Sequence, residues 1–415
     1  MNPDDRNRIL REVTMAGSCT HPVRLRGEVV NLTTGEAFER RLKVACKDRR
    51  SSVCPACSER YETDAWIIAA SGLNGGKGVP ESVATLPRLF VTVTAPSFGA
   101  VHTINDRGVC VADSKSTQCA HGVTTRCSIR HCVDDPELGH PLCDQCFDAV
   151  GAVLWNAHAS RLWSLTVQQA RRNLAAESGL SQRQARTRVT FHYLKVVELQ
   201  RRGLVHFHAL VRLDERDGSL GVGTEELARA IRNAISNVVL EDGGLEYRWG
   251  RFVDVQDLGL SGQDVRGVAT YLAKYVTKTA AGSLELAFRF RSRRQIRQVV
   301  DDPHLRRLAL TAWDLSGEPE CQKLALRRHA HTLGYRGHFI TKSRAYSTTF
   351  GALREARAAF MAPGPDDDGH ESTYIYDGRG YDDERSSELA DVLARLDRQR
   401  RIETRKGVKE SHDDD

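Results

Sequence analysis

No stretch of this chain is apolar for long enough to cross a bilayer, and its opening residues, MNPDDRNRILREV, hold no hydrophobic signal core. The expectation is a soluble, cytoplasmic protein with no membrane partner. No GxxxxGK[ST] loop occurs either. The glycine-rich SGLNGGKGVP (71–80) has Gly-Lys without the required spacing or the following hydroxyl, so it reads as a linker and a nucleotide-driven motor is excluded. HExxH, the helical signature of zinc peptidases, is missing. Internal repeats are missing too.

What is present is enough for a sizeable core and two or more domains: 415 residues, 40% of them hydrophobic. In a reducing compartment the 11 cysteines read as metal ligands or buried thiols rather than a disulfide framework. The net charge of +6 is unevenly spread. Residues 366–415 carry 16 acidic and 9 basic side chains, leaving 51 basic against 38 acidic in residues 1–365. A basic body suits a phosphate-rich partner, and the tail (363–415) reads as acidic and mostly disordered.

RLFVTVTA (88–95) alternates and is β-branched, a strand ended by Pro96, with Thr92 and Thr94 on one face. A cysteine-rich excursion (101–150) follows: Cys110, Cys119, His121, Cys127, His131, Cys132, then the knuckle Cys143-Asp-Gln-Cys146. Two thiolates three residues apart grip one tetrahedral zinc ion without strain, and two more ligands arrive from upstream. Cys119, Cys127, Cys143 and Cys146 are the expected set, with His121, His131 and Cys132 in reserve. Cys54-Pro-Ala-Cys57, with Cys46 and, further upstream, Cys19, makes a second candidate zinc site within an N-terminal segment (1–84). Cys110 and Cys321 read as ordinary buried thiols.

The next feature is a hairpin. RTRVTFHYLKVVELQ (186–200) and LVHFHALVRL (204–213) read as strands joined by Arg201-Arg202-Gly203, a three-residue loop with glycine at the left-handed position. Pairing Gln200 with Leu204 sets Glu198 opposite His206 and Val196 opposite His208, so one face gathers Glu198, His206 and His208, with Gln200 diagonal to His206. Two imidazoles and a carboxylate occupy one side of a divalent ion and leave positions open for substrate oxygens. A metal-assisted nuclease and a non-haem iron oxygenase both fit that trio. The register carries the argument, since a one-residue slip turns the histidines away.

VRGVATYLAKYVTKTA (265–280) reads as a helix, with Tyr271 and Tyr275 four apart along one face and Lys274 and Lys278 along another. Such tyrosines are either a core stripe or, beside a metal hairpin, nucleophiles toward a phosphodiester.

In order, FVTVTA (90–95), ELQRRGLVHFHAL (198–210) and YLAKYVTK (271–278) resemble the three motifs of the HUH endonucleases, specifically rolling-circle replication initiators. The cysteine block, PLCDQC, AVLWNAHASRLW (152–163) and GHFITKSRAYSTTFGALR (337–354) are similar, more narrowly, to initiators of actinomycete plasmids and integrative conjugative elements. The resemblance covers roughly residues 45–355. It implies a divalent ion, Mg²⁺ or Mn²⁺, on His206 and His208, with Glu198 as third ligand and Gln200 competing for that place. It implies Tyr275 as the principal nucleophile, since the Lys-Tyr-x-x-Lys pattern centres on it. Tyr271 would be the second nucleophile, with Lys278 and Lys274 positioning the phosphate. Single-tyrosine relatives carry glutamate where this chain has Tyr271, which favours the paired-tyrosine mechanism. The implied partners are origin DNA and a host helicase and polymerase.

The expected fold is α+β: a central antiparallel sheet flanked by helices, the HUH nuclease fold, with an inserted zinc-binding segment. Strands at 88–95, 186–200, 204–213 and near 251–258 would line its centre, and the nuclease domain would resume over 151–300. A helical, basic segment (301–362) follows. RFRSRRQIRQ (289–298), with Arg291, Arg293 and Arg294, and TKSR (341–344), with Lys342 and Arg344, are candidate phosphate contacts or simply a solvated basic face. The rival readings are a transposase of the HUH type and a zinc-dependent DNA-binding regulator without catalysis.

Overall fold

The computed structural model describes residues 3–51, 53–105, 107–110, 118–215, 221–259, 267–272, 288–361 and 370–410. The chain divides into two compact units, residues 1–67 with 349–415, and residues 68–348.

The larger unit is organised by a five-stranded antiparallel sheet of order β8-β3-β5-β4-β9, from Arg88–Val93 (β3), Val189–Leu199 (β4), Val205–Glu215 (β5), Val253–Asp257 (β8) and Ile340–Lys342 (β9). Side chains alternate across these strands. One face carries Val91, Val93, Phe207, Ala209, Val211 and Val197 into the main core with Ala149–Glu177 (α3) and Thr224–Asn237 (α5). Ring contacts seal it: Phe207 lies 6.3 Å from Trp163 and 5.5 Å from Trp249, centroid to centroid. Lys195 belongs to this face as well. It is 3% exposed, its ammonium sits 4.1 Å from the Phe207 ring centroid, and burial pulls its pKa down to about 7.

The hairpin turn is pinned from below. Gly203 adopts φ +77°, and a Cβ there would stand 2.1 Å from Leu308 Cδ1, so both backbone and space require glycine. The buried amide of Asn156 on α3 donates to Gly203 O and Leu333 O and accepts from Val205 N. The register that results pairs Glu198 with His206 and Val196 with His208, as the three-residue loop implies.

On the opposite face two arginines are buried against carbonyls. Arg88 donates to Leu73 O and Gly259 O, and Arg212 to Gly72 O and to the carboxylate of Asp214. Gly72 allows this approach, because any Cβ there would enter the Tyr346 ring at 2.1 Å. A short pair, Leu240–Asp242 (β6) with Leu245–Tyr247 (β7), lies outside the main sheet. Helices Arg293–Val299 (α7) and Pro303–Leu315 (α8) follow the helical residues 267–272 (α6).

The smaller unit holds a three-stranded sheet of order β10-β1-β2: Val23–Asn31 (β1), Ala37–Val44 (β2) and His370–Arg379 (β10). Pro3–Met15 (α1), Phe350–Met361 (α9) and Glu384–Glu410 (α10) accompany it, and the boundary between units falls within Pro55–Asn74 (α2).

Three expectations need correction. Residues 186–188 end a helix, Gln182–Arg188 (α4), rather than begin a strand, because Ser181 and Gln184 form a capping box that commits the segment. The tail is not mostly disordered. Within 363–415, β10 pairs with β1, and Ala390 of α10 is buried against Ile9 and Val13. Its acidic composition masked the β-prone STYIY run and the Asp383 cap, which accepts from Ser386 N. The chain is also not divided at 84 and 362, since the N-terminal 67 residues and residues 349–415 form one unit. No helix among the described residues is long and apolar enough to cross a membrane.

Candidate metal centre

Residues on the second sheet face converge at its β3–β5–β4 centre. Thr92 of β3 is paired with His208 of β5, which is paired with Val196 of β4. Ligand atoms of Glu198, His206 and His208 lie within 4.8 Å of one another. The two imidazoles stand 4.4 Å apart, centroid to centroid, tilted 72°, and both are buried. Glu198 Oε2 is 3.6 Å from His208 Nε2.

The histidines are held ready to ligate. Thr92 Oγ1 lies 3.1 Å from His208 Nδ1, so an Nδ1–H donating to that hydroxyl leaves the Nε2 lone pair facing Glu198. His206 Nδ1 is buried with no hydrogen-bond partner. Burial, and then His208 and Arg202, pull the His206 imidazole down to about 3, so it stays neutral at physiological pH. A buried nitrogen without a partner beside a second imidazole and a carboxylate is the donor set of a divalent-cation site, and the residues fit one. Gln200 is differently engaged, its Oε1 accepting from Arg202 Nε at 2.9 Å.

Two aromatic rings pack around His208. Phe90 stacks on His208 at 5.6 Å, and the Tyr271 ring of α6 meets His208 edge-on at 5.4 Å and Phe90 at 5.8 Å. Tyr271 is 41% exposed, so its ring lies against His208 while the residue stays open to solvent. Tyr275, Lys274 and Lys278 lie outside the described residues. Beside His206 opens a groove of about 800 Å³ lined by Gln200, Arg202, Arg248, Arg251 and Phe252.

Of the expected phosphate contacts, Arg291, Arg293, Arg294 and Arg344 are exposed, and Arg293 pairs with Asp314. Lys342 is turned inward. Its ammonium donates to Ser347 O and Arg344 O and braces the loop after β9.

The cysteines form three groups with ligand atoms within 4.8 Å: Cys19, Cys46, Cys54 and Cys57; Cys119, His121, Cys143 and Cys146; and His102, Cys110, Cys127 and His131. Groups of this composition could hold a metal such as zinc. The set Cys119, Cys127, Cys143 and Cys146 does not assemble. A tight turn, with Gly122 N donating to Cys119 O, swings His121 onto Cys143 and Cys146, while Cys127 lies 3.3 Å from His131 Nε2 in the other group. Cys110 is therefore not an isolated thiol. Cys132 is exposed and outside all three groups, and Cys321 is buried away from them.

Sequence reasoning gave Thr92 and Phe90 no role of their own, though both lie in FVTVTA, and did not single out His102. Extending the alternation of 88–95 by one register step to the histidine strand finds the first two, whereas His102 has no local signal.

Fold and site together define a mixed α/β protein with antiparallel sheets and, among the described residues, four groups of side chains that could hold metal ions. Comparison with known proteins takes the assignment further. The family model for RepSA, the replication initiator protein of pSAM2, matches residues 5–395. A replication initiator protein of Streptomyces ambofaciens is 37% identical over 381 residues, covering 85% of this chain and 79% of that protein. No solved structure matches. The chain belongs to the RepSA family of replication initiators.

Proposed function

We propose that this protein starts rolling-circle replication as an HUH endonuclease, binding a double-strand origin and nicking one strand through a phosphotyrosine. The observation that carries the reading is the 5.4 Å edge-on contact between the Tyr271 ring and His208, which sets a phenol-bearing side chain against one member of the histidine–carboxylate trio.

His206, His208 and Glu198 would hold Mg²⁺ or Mn²⁺. The ion supplies Lewis-acid polarisation of the scissile phosphate. Arg248 and Arg251 take the strand's phosphates along the groove, and exposed Phe252 offers a stacking face for a base. Tyr275 attacks phosphorus as the bond to the 3′ oxygen breaks. The phenol loses a proton, the departing oxygen gains one, and the strand's 5′ phosphate stays on the tyrosine. Lys278 and Lys274 offset the charge that develops on the phosphoryl oxygens. Tyr271 performs the second transesterification, which releases a single-stranded circle, and conservation of bond energy through both steps agrees with the missing phosphate-binding loop. The 3′ hydroxyl primes a host polymerase, and a host helicase opens the duplex. Zinc at Cys19, Cys46, Cys54 and Cys57 and at Cys119, His121, Cys143 and Cys146 is structural.

The test is incubation of purified protein with supercoiled cognate origin DNA and Mn²⁺. Nicked circles bearing covalent protein are expected, and Tyr275→Phe should abolish the adduct. A Tyr275→Phe protein that still forms it at the normal rate removes the assignment, and no nicking on any cognate DNA favours the non-catalytic regulator.

A further inference from the structure

We infer that the excursion between β3 and α3 binds two zinc ions on interleaved ligand pairs, and that the previously unassigned ion, on His102, Cys110, Cys127 and His131, stiffens the turn of the catalytic hairpin. The inference concerns metal content and backbone rigidity, so it stands or falls independently of nicking.

Ligand spacing supports both ions. Tetrahedral zinc, with bonds of about 2.3 Å to sulfur and about 2.0 Å to nitrogen, sets neighbouring ligand atoms roughly 3.3–3.8 Å apart. In the unassigned group, His131 Nε2 is 3.3 Å from Cys127 Sγ and 3.2 Å from His102 Nδ1, which is 3.9 Å from Cys110 Sγ. In the other group, His121 Nδ1 is 3.2 Å from Cys146 Sγ, 3.8 Å from Cys143 Sγ and 4.0 Å from Cys119 Sγ. His131 is also oriented from behind, its Nδ1 2.7 Å from Asp135 Oδ2, as metal-bound imidazoles commonly are.

Chain order makes the arrangement a brace. His102 and Cys110 serve one ion, Cys119 and His121 the other, Cys127 and His131 return to the first, and Cys143 and Cys146 complete the second. Backbone bridges prepare this crossing, since Val109 pairs with Arg130 and His131 N donates to Gly108 O, which brings the first and third ligand pairs together. Each ion therefore closes a loop that contains ligands of the other, and a segment with few buried apolar side chains gains its rigidity from metal bonds.

The brace ends on the catalytic hairpin. Asp135, which orients His131, accepts from Arg201 Nη1 through its backbone carbonyl at 2.7 Å. Gly139 packs so closely on the turn that a Cβ there would lie 2.6 Å from Arg201 Cβ. Arg202, next along the turn, donates to Ala95 O and Pro96 O at the end of β3. Rigidity thus passes from zinc through Asp135 and Gly139 to residues 200–203, two positions from Glu198.

Native mass spectrometry of the full chain counts the ions. The double variant Cys127→Ser/Cys143→Ser should hold two fewer zinc ions than wild type, and Cys110→Ser at least one fewer. If a single ion serves the whole excursion, the double variant loses only one and Cys110→Ser loses none; either result overturns the two-ion arrangement. Cys132→Ser, outside both groups, should retain the full complement. Amide exchange reads the brace: Gly203 N–H, which donates to Gln200 O, should exchange faster in Cys110→Ser than in wild type. Unchanged exchange there, with zinc lost, overturns the coupling to the hairpin.

Discussion

Replacing Thr92 with valine tests how the cation site is tuned. The substitution keeps shape and burial on β3 and removes only the hydroxyl 3.1 Å from His208 Nδ1. At 3% exposure His208 cannot turn to water for a substitute. Its Nδ1–H then either loses that acceptor, at a cost of about 1–3 kcal/mol, or the proton moves to Nε2 and removes the lone pair that faces Glu198. Either route falls on metal binding, and loss of such an orienting partner weakens metal affinity roughly 10–100-fold. Thr94→Val is the matched control, because its hydroxyl donates instead to Phe252 O. Mn²⁺ titration followed by electron paramagnetic resonance should show Thr92→Val weakened by that factor and Thr94→Val unchanged. Wild-type affinity in Thr92→Val, or an equal loss in Thr94→Val, would refute the reasoning.

Other outcomes follow from buried groups. Lys195→Met should raise stability at pH 7 by a few kcal/mol, because the wild-type fold carries a lysine whose pKa falls from 10.5 to about 7. The sign is set by the unfolded chain, which binds the extra proton between about 7 and 10.5, so wild-type stability rises with pH across that window. The advantage of methionine should therefore shrink toward pH 10, as denaturant titrations at several pH values would show; a constant difference contradicts the burial argument. Asn156→Leu strands the Gly203 and Leu333 carbonyls and the Val205 amide, and should cost about 3 kcal/mol or more in chemical denaturation. Gly203→Ala, forced to φ +77° against Leu308, should destabilise by more than about 1 kcal/mol and slow nicking; neutral stability would mean the turn relaxes freely.

The trio Glu198, His206 and His208 was legible because hairpin geometry is local. A three-residue loop ending in glycine sets the register, and the register decides which side chains share a face. The capping box Ser181–Gln184 was equally local, but it lies just upstream of residues 186–188, which were read as the start of the strand. The tail shows how composition misleads. Its net negative charge suggested a solvated segment, while the alternating STYIY run found a partner more than 340 residues away in β1.

The amino-acid order by itself determined the alternation of β3, the hairpin register and the thiolate pairs spaced to share an ion, all of which arise between residues close along the chain. Tertiary structure alone decided that Thr92 backs His208, that Tyr271 and Phe90 pack on His208, and that Cys127 leaves Cys143 and Cys146 for His102 and Cys110. The reason is physical. Ligand atoms must meet within about 4 Å in space, and chain separation does not specify which distant segments packing will bring that close.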